Sequence, residues 1–424
     1  LSRVGFITLY ATGHLNPSIV LGRALEQQGH DVVFFNVLDT SDAIISAGLR
    51  LVPFAETEYP VGALRPLMQK TGELSGQAAF AYYVERMILF FSTSFRYLPE
   101  LIRREKVDLL IIDQVHYGGA TIAEHMGIPF VSLANALLVN REDVIPPPVM
   151  LWPFDPSPPG IERNRKGWAA VDQAYALLLP VVNQQRRAWN LAEYNNLVEE
   201  SFSPLAQICQ QPAIFEFPRP QAPATLRFVG HLQDEHLSRE VPFPWEWLDG
   251  RPLIYASCGT LQNRLEHVFR AIIAACAPLD AQIVIALGND ALLPELFGAV
   301  PANIKLVAYA PQAELLRRAS LCILHAGLNT TLDCLENGVP MVAIPIASEQ
   351  PGIAMRVTRL GVGTIVPLPE VSAASIGTAV QAVLTQRAYR EAAQSVAREI
   401  ANLHPTTEAV RIIEQVLASN FASA

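Results

Sequence analysis

The apolar positions of this chain fall into short dense runs separated by stretches of helical period. Val4–Tyr10 is a run of strand length. Val20, Leu21, Ala24 and Leu25 then recur at helical spacing, Gly29 closes that segment, and Asp31–Val37 resumes as a strand. Pro17 stands where a first helical turn favours proline, so this helix is predicted to start there. A second strand–helix–strand unit runs through Leu109–Asp113, a helix containing Ile122–Met126, and Pro129–Leu133. The later half repeats the rhythm: a strand at Leu253–Ala256, a helix at Leu265–Ala275, and strands at Ile283–Leu287, Ile304–Tyr309, Leu321–Leu324 and Met341–Ile344. Strands alternating with helices predict parallel sheets covered on both faces, an α/β fold.

Two proline-dense stretches interrupt the pattern. Pro146–Pro159 lies inside the first alternating region and is predicted to be an ordered loop. Pro212–Pro252 separates the two regions, and its middle is predicted to be the interdomain linker. Thr406, Thr407 and Glu408 open a final helix. At 424 residues, two domains are the expectation.

Composition changes this picture in two ways. Hydrophobic residues make up 50% and charged residues 17%, and the mean hydropathy is +0.24. No apolar run reaches the ~20 residues a bilayer requires, so the surplus is assigned to buried strands and a greasy pocket. The net charge of −9 and the lack of a Lys/Arg stripe argue against nucleic acid as a partner. The five cysteines form no C-x-x-C pair, which fits core thiols in a reducing, cytoplasmic setting.

The densest chemistry lies between Tyr309 and Gln350. The chain there reads Y-A-P-Q, then H-A-G-L-N-T-T-L-D after a strand, then E-N-G-V-P, and finally A-S-E-Q-P. His325 ends a strand, Gly327 permits close backbone approach, and Asn329 and Thr330 carry polar side chains at a predicted helix start. Such a start holds a diphosphate through unpaired N–H groups and the positive end of the dipole. Asp333 is placed on the first turn of that helix, in reach of ribose hydroxyls, while Tyr309 offers a flat face for a base and Gln312 a polar arm. A histidine before a strand–glycine–helix turn is, alone, more often a packing residue. The weight rests on the whole string falling at strand carboxyl ends, where open α/β sheets bind ligands.

This string resembles the donor-binding signature of the family-1, UDP-dependent glycosyltransferases, which have the GT-B fold of two Rossmann-like parallel-sheet domains facing a cleft. I-I-D-Q at Ile111–Gln114, F-S-P-L-A-Q at Phe202–Gln207 and Y-A-S-C-G-T-L-Q at Tyr255–Gln262 resemble the bacterial carotenoid (zeaxanthin-type) glucosyltransferases within that family. The resemblance implies an acceptor-binding domain over residues 1–232, a nucleotide-sugar domain over 233–405, and a terminal helix, 406–424, returning to the first domain. It implies that Tyr309 and Ala310 meet the uracil, Gln312 and Asp333 the ribose, and Glu349 and Gln350 the hexose. His325, Gly327, Asn329 and Thr330, with Thr260 opposite, then hold the diphosphate. Tyr309 stands where Trp is common, and Glu349 where Asp is common.

Two residues of the first half complete the chemistry. His14 and Asp113 each follow a predicted parallel strand, so both reach one crevice. An imidazole with a carboxylate on its other nitrogen is suited to take a proton from a hydroxyl. The resemblance implies that His14 is the base, Asp113 its partner, and that the reaction inverts the anomeric centre. No D-x-D triplet occurs, so no metal is expected and no cofactor beyond the UDP-sugar co-substrate. For the acceptor, Met87 and Phe91 on one helical face and Met150 and Trp152 in the proline-rich loop are the candidates. The apolar composition and the resemblance point to a hydrophobic alcohol such as a hydroxylated carotenoid, reached by peripheral contact with a membrane. Other lipophilic acceptors, a sugar-nucleotide epimerase and a non-catalytic sensor remain as alternatives.

Overall fold

The computed structural model describes residues 1–74, 76–234, 241–259, 265–288 and 292–421. Among the described residues, thirteen strands form two sheets. β1 (Arg3–Ile7), β2 (Asp31–Asn36), β3 (Arg50–Pro53), β4 (Leu109–Asp113), β5 (Phe130–Ala134), β6 (Gln207–Cys209) and β7 (Leu226–Phe228) make the first. β8 (Leu253–Ser257), β9 (Gln282–Ala286), β10 (Ile304–Val307), β11 (Ala319–Leu324), β12 (Met341–Ala343) and β13 (Gly363–Ile365) make the second. Their spatial orders are β3-β2-β1-β4-β5-β6-β7 and β10-β9-β8-β11-β12-β13. Every pairing is parallel.

The central strands β1, β2, β4, β5, β8, β9 and β11 bury both faces along most of their length, which is why they read as continuous apolar runs. In the first sheet Val4, Phe6, Leu109 and Ile111 face one way, onto helix Thr12–Gln27 and the terminal helix Pro405–Phe421. Ile7, Leu110 and Ile112 face the other way, onto the long helix Gly76–Glu105. The second sheet is sandwiched likewise. Tyr255, Cys322 and Leu324 meet helices Leu328–Glu336, Gln350–Arg359 and Arg387–Ile400, while Ile254, Ala256 and Ile323 meet Glu266–Cys276 and Ala373–Thr385. All five cysteines are buried and unpaired.

The boundaries move in one informative place. The first helix starts at Thr12, not at Pro17, so Pro17 lies inside it. A proline has no N–H for the carbonyl four residues earlier. The Gly13 carbonyl is therefore left without its helical partner, and the second half of the molecule supplies one, as described below.

The halves are also held by buried charge. Arg356, 1% exposed, pairs with Glu216, and its guanidinium lies 4.2 Å from the Phe217 ring centroid. The Gly352 amide donates to the Pro148 carbonyl at 2.8 Å, which ties the proline-rich loop of the first half to a helix of the second.

Candidate active site

Strand order reverses direction between β1 and β4 in one sheet and between β8 and β11 in the other. At such a point the connections leave to opposite faces and open a crevice at the strand carboxyl ends. His14 follows β1, Asp113 ends β4, Gly259 follows β8 and His325 follows β11. The candidate residues therefore occupy the switch point of each sheet.

On the first side, His14 Nδ1 lies 2.8 Å from Asp113 Oδ2. Asp113 is buried and is held by the Val115 amide at 3.1 Å. The Asn135 amide donates to the His14 carbonyl and to Ser18 Oγ, both at 2.9 Å, fixing the turn that carries the imidazole. With Nδ1 engaged by the carboxylate, Nε2 is the nitrogen left to accept a proton. Burial would depress the His14 pKa, but the charge and hydrogen bond of Asp113, with Glu349 across the cleft, outweigh it and raise the pKa above 6.5. Burial pushes Asp113 the other way, and the His14 interaction wins there too, lowering its pKa.

On the second side, helix Leu328–Glu336 begins directly after Gly327, with no side-chain cap on its first amides. Ala326 before it has φ 63°, and Ser348 before Glu349 has φ 55°. Left-handed backbone at non-glycine residues costs on the order of 1–3 kcal/mol and marks turns that the surrounding fold imposes. The His325 ring fits between two glycines: a Cβ on Gly327 would stand 2.4 Å from Nε2, and one on Gly259 would stand 2.7 Å from it. Burial lowers the His325 pKa to about 4, so this imidazole is neutral at physiological pH.

The remaining candidates form a chain of contacts. Gln312 Nε2 donates to Asp333 Oδ2 at 2.6 Å and its Oε1 accepts from the Tyr255 hydroxyl at 3.3 Å. Thr330 Oγ1 lies 3.4 Å from the same Gln312 amide. Asp333 lies in the second turn of the helix, not the first, because the helix starts at Leu328. Burial raises its pKa, offset in part by His231 and Gln312. Tyr309 is 39% exposed at the end of this row, beside the half-buried Ala310. Gln350 Oε1 accepts from the Ile346 and Ala347 amides at 2.7 and 3.0 Å, which shapes the turn carrying Glu349. Thr260 lies outside the described residues.

Asn329 joins the two sides. Its Nδ2 donates to the Gly13 carbonyl at 3.2 Å, the same carbonyl that Pro17 leaves unpaired, and its Oδ1 accepts from Gln210 Nε2 at 3.0 Å. The first amides of the second-half helix are thereby brought to the residue preceding His14.

Two of the four acceptor candidates are taken up by the core. Met87 and Phe91 are 5% and 0% exposed and belong to the core between the long helix and the sheet. Their helical stripe faces the sheet, and the stripe's apolar character is explained by that packing. Trp152 is packed against Gly167, where a Cβ would stand 2.6 Å from its ring, and Arg163 stacks on it at 5.2 Å. Met150 is half-buried in the same loop. Tyr83 shares the helical stripe of Met87 and Phe91 in the sequence but was not among the four candidates. Tyr83, 38% exposed, has a hydroxyl whose pKa is raised by burial and by Tyr175, Glu349, Asp113 and Tyr10. Sequence reading missed His231, whose Nδ1 lies 3.2 Å from Glu336 and 3.7 Å from Asp333. Those three residues place one ligating atom each within 4.8 Å of one another. The aromatic character of Tyr83 was visible in the chain; its separation from the core stripe was not.

Comparison with known proteins fits this geometry. Residues 270–416 match the model of the erythromycin biosynthesis protein CIII-like C-terminal domain. The chain is 30% identical over 406 residues to a zeaxanthin glucosyltransferase of Pantoea ananas, covering 94% of this chain and 92% of that protein. It is also 30% identical to the zeaxanthin glucosyltransferase of Pseudescherichia vulneris, with 81% of each covered. Among solved structures, the glycotransferase of kitacinnamycin superposes with a TM-score of 0.76 at 20% identity over 98% of both chains. The glycosyltransferase VinC, in complex with dTDP, does so at 0.72 and 21% identity, over 98% of this chain and all of its own. The chain belongs to the family-1 glycosyltransferases of GT-B fold. It is an enzyme of sugar transfer, similar along nearly its whole length to the zeaxanthin glucosyltransferases.

Proposed function

We infer that this enzyme transfers a hexose, glucose, from a UDP-sugar to a hydroxyl of a hydrophobic acceptor, a hydroxylated carotenoid, with inversion and without a metal ion. The observation that carries the reading is the opposition of the His14–Asp113 pair, 2.8 Å apart, to an uncapped helix start, with Asn329 bonded across the gap. The diphosphate lies at the first amides of helix Leu328–Glu336, beside His325, Asn329 and Thr330. Ribose meets Gln312 and Asp333, the base stacks on Tyr309 beside Ala310, and the hexose meets Glu349 and Gln350.

The acceptor hydroxyl sits at His14 Nε2. As its oxygen forms a bond to the anomeric carbon, its proton passes to Nε2 and the bond from that carbon to the diphosphate oxygen breaks on the opposite face. Asp113 stabilises the imidazolium, and the helix amides with the neutral His325 N–H stabilise charge on the departing UDP. The carotenoid part rests on likeness to the two zeaxanthin glucosyltransferases, each named for that pigment. Among the described residues no helix is long and apolar enough to cross a membrane, so a cytoplasmic enzyme would meet such an acceptor at the membrane surface.

Incubation with UDP-glucose and a panel of hydroxylated carotenoids, polyketides, flavonoids and sterols tests the reading. Mass spectrometry should show a hexose added to the carotenoid, and NMR an inverted anomeric centre. No transfer to any alcohol, or isomerisation of the donor alone, would exclude it. Treatment with EDTA should leave the rate unchanged. A loss restored by a divalent ion would reverse the metal-free assignment and turn attention to His231, Asp333 and Glu336.

A further inference from the structure

One side of the long helix carries a cation that the mechanism does not use. Tyr82, Tyr83, Arg86 and Phe90 fall at spacings of three and four on helix Gly76–Glu105 and so share one face. Phe90 packs edge-on to Tyr10 at 5.4 Å, and Tyr10 lies 6.2 Å from Tyr59. Both distances are between ring centroids. Tyr10 comes between β1 and His14, so this cluster adjoins the turn that carries the candidate base. The half-buried Arg86 lies over the Tyr59 ring, 5.5 Å from its centroid.

The hydrogen-bond inventory of this cluster does not close. Among the described residues no carboxylate pairs with Arg86. Its Nε is buried without a partner, as are the hydroxyls of Tyr59, 1% exposed, and Tyr82, 8% exposed. Stacking on a ring attracts the guanidinium without using its five N–H donors, and the Tyr10 and Tyr59 hydroxyls that face it can take up only part of them. Buried donors without acceptors are rare in folded proteins, and a group of three needs an explanation. A phenol oxygen can accept from the guanidinium but must still place its own O–H, so the cluster keeps a surplus of donors and the missing partner presents oxygen lone pairs.

We propose that Arg86, with Tyr59 and Tyr82, forms an acceptor subsite for a carbonyl or carboxylate oxygen placed a few atoms from the reacting hydroxyl. The inference rests on the proposed transfer to a hydrophobic alcohol and narrows it to alcohols carrying such an oxygen at the same end. Proximity to the reacting centre follows from Tyr10, which stands between β1 and His14 and packs on Phe90, one turn after Arg86 on the same helix.

The test uses three acceptors on one apolar skeleton: the plain secondary alcohol, the same alcohol with a ketone on the adjacent carbon, and the alcohol with a nearby carboxylate. Wild-type enzyme should prefer one or both oxygenated acceptors over the plain alcohol in kcat/KM. Arg86→Met should shrink that preference about 10- to 100-fold, the effect of losing one charge-assisted hydrogen bond. Arg86→Lys, which keeps the charge, should retain part of it, and Tyr59→Phe should reduce it less than Arg86→Met. The ketone and carboxylate arms decide which oxygen is recognised. Turnover of all three acceptors with no preference, or a preference that survives Arg86→Met, overturns the subsite while leaving the transferase reading intact. No turnover of any of the three overturns both.

Discussion

Two histidines stand at matching places in the two sheets, each after a strand that flanks a switch point, and their surroundings give them opposite character. His14 has a buried carboxylate on Nδ1, which lifts its pKa above 6.5 in spite of burial. His325 has two glycines against its ring and, among the described residues, no carboxylate bonded to it, and burial lowers its pKa to about 4. The fold provides the same position twice; the neighbour decides whether the imidazole collects a proton or stays neutral as a donor. A base for a hydroxyl needs the first environment, and a group facing a diphosphate needs only an N–H.

The sharpest way to break this contrast is to remove the first imidazole. His14→Ala should lower turnover by about 10²- to 10⁴-fold with UDP affinity nearly unchanged, as read by steady-state kinetics and nucleotide titration. Near wild-type turnover would remove His14 as the base.

The carboxylate gives the next effect, on pH dependence. A base works in its neutral form, so wild-type activity should rise with pH through a midpoint above 6.5. In Asp113→Asn the opposing charge is gone and burial remains, so that midpoint should move to lower pH as the maximal rate falls. A midpoint that does not move would mean another group titrates.

The second histidine should respond through donor binding. Gly327→Ala forces a Cβ to within 2.4 Å of His325 Nε2, and the ring or the turn must shift. The KM for the UDP-sugar should rise about 10-fold, as for one lost hydrogen bond to a charged group, with the pH midpoint unchanged.

The smallest expected effect belongs to the bridge between the sides. Asn329→Ala removes the donor to the Gly13 carbonyl and the acceptor for Gln210. A loss of several-fold in kcat/KM is expected, in line with about 1 kcal/mol for a neutral hydrogen bond. A loss as large as that of His14→Ala would show that Asn329 takes part in the chemistry itself.

Much of the architecture and the core of the candidate site were legible in the chain. The apolar runs marked β1, β4, β8 and β11, and the residues at or beyond their carboxyl ends included His14, Asp113 and His325. A strand that is buried on both faces leaves a strong apolar signal, and its carboxyl end is known once the strand is placed. The short strands β6, β7 and β13, three residues each, left no such signal and went unread. The first helix was started five residues late, since proline favours a first turn but is also tolerated deeper when its freed carbonyl finds another partner.

The acceptor side shows where helical periodicity stops being informative, for a physical reason. Helical periodicity shows that Tyr83, Met87 and Phe91 share a stripe, yet a stripe about 100° wide includes both a centre and an edge. Packing put Met87 and Phe91 at the centre, in the core with the sheet, and left Tyr83 at the edge, 38% exposed.

Sequence by itself determined the alternation of strands and helices, the chemical types at strand ends, and the family to which they belong, because these are local properties of pattern and side-chain identity. Tertiary structure alone decided that His14 meets Asp113 from 99 residues away, that Asn329 repairs the carbonyl Pro17 leaves open, and that one imidazole is raised and the other lowered. Such outcomes depend on distance and burial, which come into being only when remote segments are packed together.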